Sequence, residues 1–198
     1  RVEGIECVFF TGGGEPLPEE PDVVVLDAPD GYDHLPSKVT AFFRHALETW
    51  QFDWLFKCDD DTYVHLERLL DLPDGIHDFI GDVLLESRGS PQGGAGYLLS
   101  RERVEVLLAS GIPACGPEDI LIGEAVIRQG ARWLASERLC WGYFRSPRKD
   151  NRQITSHYCG PDHLRALHAA LHGDDFREFL VDHVRWTDRG RLPSGGSF

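Results

Sequence analysis

Trp54-Leu55-Phe56-Lys57-Cys58-Asp59-Asp60-Asp61 places a largely apolar, strand-like run directly before three consecutive carboxylates. Aromatic and bulky apolar residues in a run this short favour a strand. Open α/β sheets bind ligands at the carboxyl ends of their strands, so the stretch predicts an α/β domain with a site at the end of this strand. Three adjacent carboxylates repel one another unless they are solvated or neutralised by a cation. Carboxylate oxygens suit Mg²⁺ or Mn²⁺, and such ions commonly join one or two carboxylates to substrate phosphates. A charge run is more often a solvated turn; its place after a strand favours the site.

Outward from the triplet, short apolar runs alternate with helical patterns, as α/β domains require. Cys7 to Phe10 reads as a strand ending in the turn Thr11-Gly12-Gly13-Gly14, and Val23 to Leu26 as a second. Ser37 reads as the N-cap of a helix. Behind it Val39, Phe42, Phe43, Ala46, Leu47 and Trp50 recur at helical spacing and form one apolar face. Phe79 to Leu85 and Ala95 to Leu99 read as strands, and Ser100 as the cap of a helix about ten residues long. Pro117-Glu118-Asp119 opens a helix that Gly130 closes. Arg132 to Ala135 and Ile154 to Tyr158 read as strands, Gly142 to Gln153 as a basic irregular segment, and Asp162 to His172 as a helix. No repeat and no internal boundary stands out. The expected organisation is one domain over residues 1–192, with a central, mostly parallel sheet flanked by helices, and a frayed tail over 193–198.

The 198 residues suit one domain, and 41% hydrophobic residues are enough for a buried core. A formal net charge of −13 argues against nucleic acid as a partner, because phosphate binding needs a basic surface. No apolar run approaches the ~20 residues of a membrane helix, and the start lacks a signal-peptide pattern. Met is absent altogether, so the chain is expected to begin inside a longer natural protein or to have been processed. The five cysteines form no C-x-x-C pair, which disfavours structural zinc. An odd cysteine count and the lack of a glycosylation sequon at the sole Asn, Asn151, tilt the expected compartment slightly toward the cytoplasm. A lumenal setting would follow if an N-terminal anchor had been removed.

Phosphatases of the haloacid dehalogenase type also place acidic residues after a strand, as D-x-D-x-T. Counted from Asp59 the fifth position is Tyr63, and counted from Asp60 the third is Thr62, so neither frame fits. Phe56-Lys57-Cys58-Asp59-Asp60-Asp61-Thr62-Tyr63-Val64 instead resembles the metal-site motif of the β-1,3-galactosyltransferase and Fringe family. Gly31 to Lys38 (GYDHLPSK) resembles that family's D-x-Y-x-N-L-x-x-K stretch, with Gly31 and His34 departing from it. Gly94 to Ser100 (GAGYLLS) resembles G-x-G-Y-x-x-S, and Pro117 to Gly123 (PEDILIG) resembles E-D-V-x-x-G. Ser156-His157-Tyr158 resembles the F-H-Y or F-H-S element. Each motif alone is weak; five in the family's order, from about Cys7 to His172, are fairly specific.

The resemblance implies a GT-A-type, Rossmann-like fold and an inverting transfer from a UDP-sugar to a carbohydrate or glycoconjugate hydroxyl, with Mn²⁺ or Mg²⁺ as cofactor. Galactose or an N-acetylhexosamine would be the donor sugar, and β-1,3 the linkage. It implies Asp61 and His157 as metal ligands, with Asp59 and Asp60 holding the nucleotide ribose or an ordered water. A lone histidine is usually a core or surface residue, and its motif moves His157 to modest favour. Asp119 stands at the position of the catalytic base; an ordinary helix cap is the alternative for Asp119, and Glu118 the alternative base. Gly94 and Gly96 would let backbone approach the sugar or else mark a strand bend. Lys38 would contact the donor or stay exposed. Arg145, Arg148, Lys149 and Arg152 would close over the diphosphate or remain solvated. Cys7 to Phe10 resembles the family's second strand, so the first, with its R-x-x-W-like element for uracil, is expected either to be omitted in a shorter variant or to precede the start of this sequence. Two other functions stand against a transferase: a non-catalytic nucleotide- or carbohydrate-binding domain, and a Mg²⁺ phosphohydrolase.

Overall fold

A computed structural model describes residues 2–15, 19–82, 90–140 and 152–172, without the side chains of residues 170–172. Arg145, Arg148 and Lys149 of the basic segment, the tail 193–198 and residues 83–85 of one expected strand lie outside the described residues. In chain order the elements are β1 (Phe9–Gly12), β2 (Val23–Leu26), a 3₁₀ turn (Tyr32–His34), α1 (Leu35–Thr49), β3 (Trp54–Lys57), β4 (Tyr63–Val64) and α2 (Leu66–Leu70). There follow β5 (Phe79–Gly81), β6 (Tyr97–Ser100), α3 (Arg101–Ser110), α4 (Glu118–Arg128), β7 (Trp133–Ala135), β8 (Leu139–Cys140), β9 (Thr155–Ser156) and α5 (Pro161–His172). The architecture is mixed α/β.

Among the described residues three sheets organise the strands. β1 and β2 form a parallel pair in register from Phe9↔Val23 to Gly12↔Leu26. The larger sheet has the order β3-β6-β5-β7, and a third has the order β4-β9-β8. The expectation of a mostly parallel central sheet is met in part, with β3, β5 and β7 running the same way. β6 runs antiparallel to both β3 and β5, and only β5 and β7 pair in parallel within the four-stranded sheet. The chain returns from β5 to its neighbour β6 without a crossover helix among the described residues, and such a return allows antiparallel pairing.

α1 carries its apolar stripe as its spacing predicts. Val39, Phe42, Phe43 and Ala46 are buried, and Phe10 of β1 stacks on Phe42 with ring centroids 4.3 Å apart. Fully burying side chains of this size stabilises a fold by roughly 1.5–3 kcal/mol each. Ser37 is not the cap. The helix begins two residues earlier, with His34 at the N-cap and Pro36 in the first turn, where its missing N–H costs nothing. The Ser37 hydroxyl instead donates to the Ala114 carbonyl at 2.8 Å and ties α1 to the loop before α4. Ser100 does cap α3, its oxygen accepting from the Arg103 N–H at 3.2 Å. The faces of α1, α3 and α4 meet β1, β2, β3, β5 and β6 in one apolar cluster around Phe43, Phe79, Tyr97 and Ile122. No described helix is long and apolar enough to cross a membrane.

β3 alternates as a strand should, with Leu55 and Lys57 buried. Lys57, at 3% exposure, is a cation inside the protein at the last residue of the strand. Charged side chains are almost never this buried unless paired. Its partners define the site.

Candidate metal and donor site

The triplet leaves β3 in a turn pinned to the segment before β6. The Asp59 N–H donates to the Gly94 carbonyl at 3.2 Å, the Thr62 hydroxyl donates to the same oxygen at 2.7 Å, and the Thr62 N–H closes the turn on the Asp59 carbonyl. The chain then enters β4, which pairs antiparallel with β9 through Tyr63↔Ser156 and Val64↔Thr155. That ladder carries the residues after Ser156 back toward the triplet, and the Cys159 N–H donates to the Asp61 carbonyl at 2.8 Å. His157 is thereby delivered to the acidic turn from the far end of the sequence.

The His157 Nε2 lies 3.1 Å from Asp61 Oδ1 and 3.8 Å from Asp59 Oδ2. One donor atom from each of Asp59, Asp61 and His157 falls within 4.8 Å of the others. Two carboxylates and an imidazole make a hard-to-borderline donor set that suits Mn²⁺ or Mg²⁺, and a cation relieves the repulsion of adjacent carboxylates. The donor chemistry fits a divalent ion. Asp60 is exposed and stands outside this cluster.

Behind the cluster lies a buried charge network absent from the motif reading. The Lys57 ammonium donates to Asp59 Oδ1 at 2.8 Å, to the Gly93 carbonyl at 3.2 Å and to Glu118 Oε2 at 3.4 Å. The Tyr97 hydroxyl donates a short hydrogen bond to the other Glu118 oxygen. Burial disfavours the ammonium, but Glu118 and then Asp59 outweigh it and hold Lys57 above its ordinary pKa. Lys57 is therefore charged throughout the physiological range. Glu118 is 4% exposed, and both of its carboxylate oxygens are engaged in this network.

Asp119, the next residue, is partly exposed and sits in the first turn of α4. It is not the helix cap, a place taken by Pro117. Its Oδ2 lies 3.4 Å from the Gly93 N–H, while the Gly93 carbonyl accepts from Lys57. One residue, Gly93, thus links Asp119 to the Lys57 ammonium that holds Asp59.

The two glycines before β6 have protein against them where a side chain would stand. A Cβ on Gly94 would overlap the His157 ring. Gly96 has φ +102°, and a Cβ there would fall 2.6 Å from Phe56 Cε2 and 2.8 Å from the Lys57 carbonyl. On that side Gly94 admits the histidine and Gly96 makes the bend. Gly94→Ala is expected to displace the imidazole and to destabilise the fold by about 1–3 kcal/mol, the usual range for overpacking. Denaturant unfolding checks this, and an unchanged midpoint would mean that the ring has room to move. Lys38 does not reach the cluster in the described contacts. Its ammonium is 2.6 Å from Asp30 Oδ1, and that hydrogen bond, with one from the Gly31 N–H, holds the Asp30 carboxyl below its ordinary pKa. Of the expected basic loop only Arg152 is described.

The galactosyltransferase family model matches residues 18–77, which include the triplet, Lys57 and Lys38. The UDP-GalNAc:beta-1,3-N-acetylgalactosaminyltransferase 2 of Mus musculus is 42% identical over 48 residues, 24% of this chain and 10% of that protein. The protein of the same name from Homo sapiens matches with the same identity and coverage. A probable beta-1,3-galactosyltransferase 12 of Arabidopsis thaliana is 39% identical over 56 residues, 28% of this chain and 15% of that protein. The matched segment therefore spans only 10–15% of the length of these curated relatives.

Proposed function

We propose that this chain is a metal-dependent glycosyltransferase, because the galactosyltransferase family model matches residues 18–77 and the relatives similar to it include β-1,3-transferases. It moves a hexose, galactose or an N-acetylhexosamine, from a UDP-sugar to a carbohydrate hydroxyl, within a single GT-A-type domain. The observation that carries the reading is the convergence of His157 on Asp59 and Asp61. The family segment ends at residue 77, so the arrival of a second type of ligand from β9 supports the reading independently of that match.

Asp61 and His157 hold the cation, with Asp59 beside them and anchored by Lys57. A divalent ion bound there supplies positive charge to the departing diphosphate. Asp60, exposed at the turn, is available to the nucleotide ribose. Asp119 takes the proton of the acceptor hydroxyl as that oxygen bonds to the anomeric carbon and the bond from carbon to the diphosphate oxygen breaks. Attack from the face opposite the leaving group inverts the anomeric centre and gives a β linkage, assigned here as β-1,3. Glu118 takes no proton, being buried against Lys57 and Tyr97.

The test is UDP release from UDP-galactose, UDP-GalNAc and UDP-GlcNAc with a panel of carbohydrate acceptors, run beside hydrolysis of nitrophenyl phosphate. Acceptor-stimulated UDP release that falls about 10²- to 10⁴-fold in Asp119→Asn, the usual contribution of a general base, supports the reading. Hydrolysis of the simple ester without UDP release would sink it in favour of a phosphohydrolase. UDP binding without turnover would point to a non-catalytic domain.

A further inference from the structure

Tyr158 follows His157 and is the one non-glycine residue among those described with a left-handed backbone, at φ +62°. A bulky residue in that region is strained, and such strain persists where surrounding structure imposes it. The same side chain is 52% exposed, so burial of the ring does not account for the conformation. Its ring instead stacks on the His157 imidazole, with centroids 3.9 Å apart and planes 23° apart.

The imidazole needs such support. A metal-ligating histidine is usually oriented by a hydrogen bond from its other ring nitrogen. The His157 Nδ1 is buried and has no hydrogen-bond partner among the described residues. Gly94 supplies a second surface. A Cβ there would overlap Cε1, Nε2 and Nδ1 together, which only an approach over the face of the ring produces. One face cannot hold both groups, so Gly94 and Tyr158 lie on opposite sides of the imidazole.

We propose that Tyr158 is a positioning residue for His157: with Gly94 it clamps the imidazole and keeps Nε2 aimed at Asp59 and Asp61. The strained backbone is what places the ring there, since the Cys159 N–H is held by the Asp61 carbonyl and leaves one residue to make the turn. The proposal rests on the metal-site reading above and assigns this chain's own means of fixing that ligand. A flat stack, unlike a hydrogen bond, constrains the ring's tilt without engaging either nitrogen.

The experiment measures Mn²⁺ affinity by electron paramagnetic resonance and the unfolding midpoint, for the parent, Tyr158→Phe, Tyr158→Gly and Tyr158→Asn. The phenylalanine variant keeps the stack and is expected to bind Mn²⁺ within about twofold of the parent. The glycine and asparagine variants relieve the backbone strain and lose the ring. They are expected to weaken Mn²⁺ binding about 10- to 100-fold, the range for groups that orient a metal ligand, with no fall in midpoint. Parent-like affinity in Tyr158→Gly and Tyr158→Asn overturns the clamp, as does a loss in Tyr158→Phe equal to theirs. A loss of affinity accompanied by a lower midpoint in both strain-relieving variants overturns it too, because the role would then be structural. A parent that binds no Mn²⁺ removes the metal-site reading and the clamp with it, an outcome distinct from the others.

Discussion

Asp61→Ala is expected to cut acceptor-dependent UDP release about 10³-fold or more, while leaving the unfolding midpoint unchanged or slightly raised. Metal stabilisation of developing charge is worth several kcal/mol, and about 1.4 kcal/mol is a factor of ten in rate. The stability expectation follows from exposure and charge. The Asp61 side chain retains 44% of its accessible surface and neighbours two other carboxylates, so its removal relieves repulsion. Asp60→Ala is the control within the same turn. Asp60 is exposed and outside the cluster, so its loss is expected to raise the KM for donor more than it lowers kcat. Equal losses in the two variants would show that net charge, not the Asp61 ligand position, carries the effect.

Lys57→Met is expected to lower stability by about 3–5 kcal/mol, the usual cost of removing one partner of a buried pair. For a chain of this size each kcal/mol shifts the melting temperature by about 2–4 °C, so the loss is large. The cause is specific: Glu118 and the inner oxygen of Asp59 lose the ammonium that compensates them. The double variant Lys57→Met with Glu118→Gln leaves only the partly exposed Asp59 without its cation and is expected to recover more than half of the loss. Strict additivity of the two substitutions in denaturant unfolding would contradict the pairing. In the recovered double variant Mn²⁺ affinity is expected to stay low, because Asp59 still lacks its anchor. Lys57 thus joins two roles, holding α4 to the end of β3 and holding Asp59 toward His157.

Much of this arrangement is legible from the sequence because its signals are local. The apolar run ending at Lys57 and the helical spacing of Val39, Phe42, Phe43 and Ala46 predict β3 and α1, which the structure contains. Ser100 and Pro117 mark helix starts where the structure has them. Ser37 misleads because a capping hydroxyl and one that reaches across to Ala114 look alike in sequence, and the proline in the first turn fits either start. Strand direction is hidden for a related reason: the four residues of β6 read the same in either sense, and only their partners decide.

The site itself was partly legible. Its candidate ligands are residue types with recognisable chemistry, but the means of their convergence is not legible. β4 and β9 are two residues each and exist by pairing with one another, so no periodicity announces them. The burial of Lys57 is equally silent, since a lysine two residues before an acidic triplet reads as solvated until the network with Glu118 and Tyr97 is seen. A tyrosine at φ +62° is a property of the folded chain alone. Gly94 illustrates the difference most directly: the missing side chain, expected to let backbone approach a sugar, makes room on one side for His157.

The central claim is that Asp61 and His157 hold a divalent cation that a nucleoside diphosphate shares, and calorimetric titration of UDP tests it most directly. UDP is expected to bind in the presence of Mn²⁺, to lose that binding when EDTA removes the ion, and to regain it when Mn²⁺ is restored. Equal UDP affinity with and without the metal, or no binding in its presence, would contradict the account.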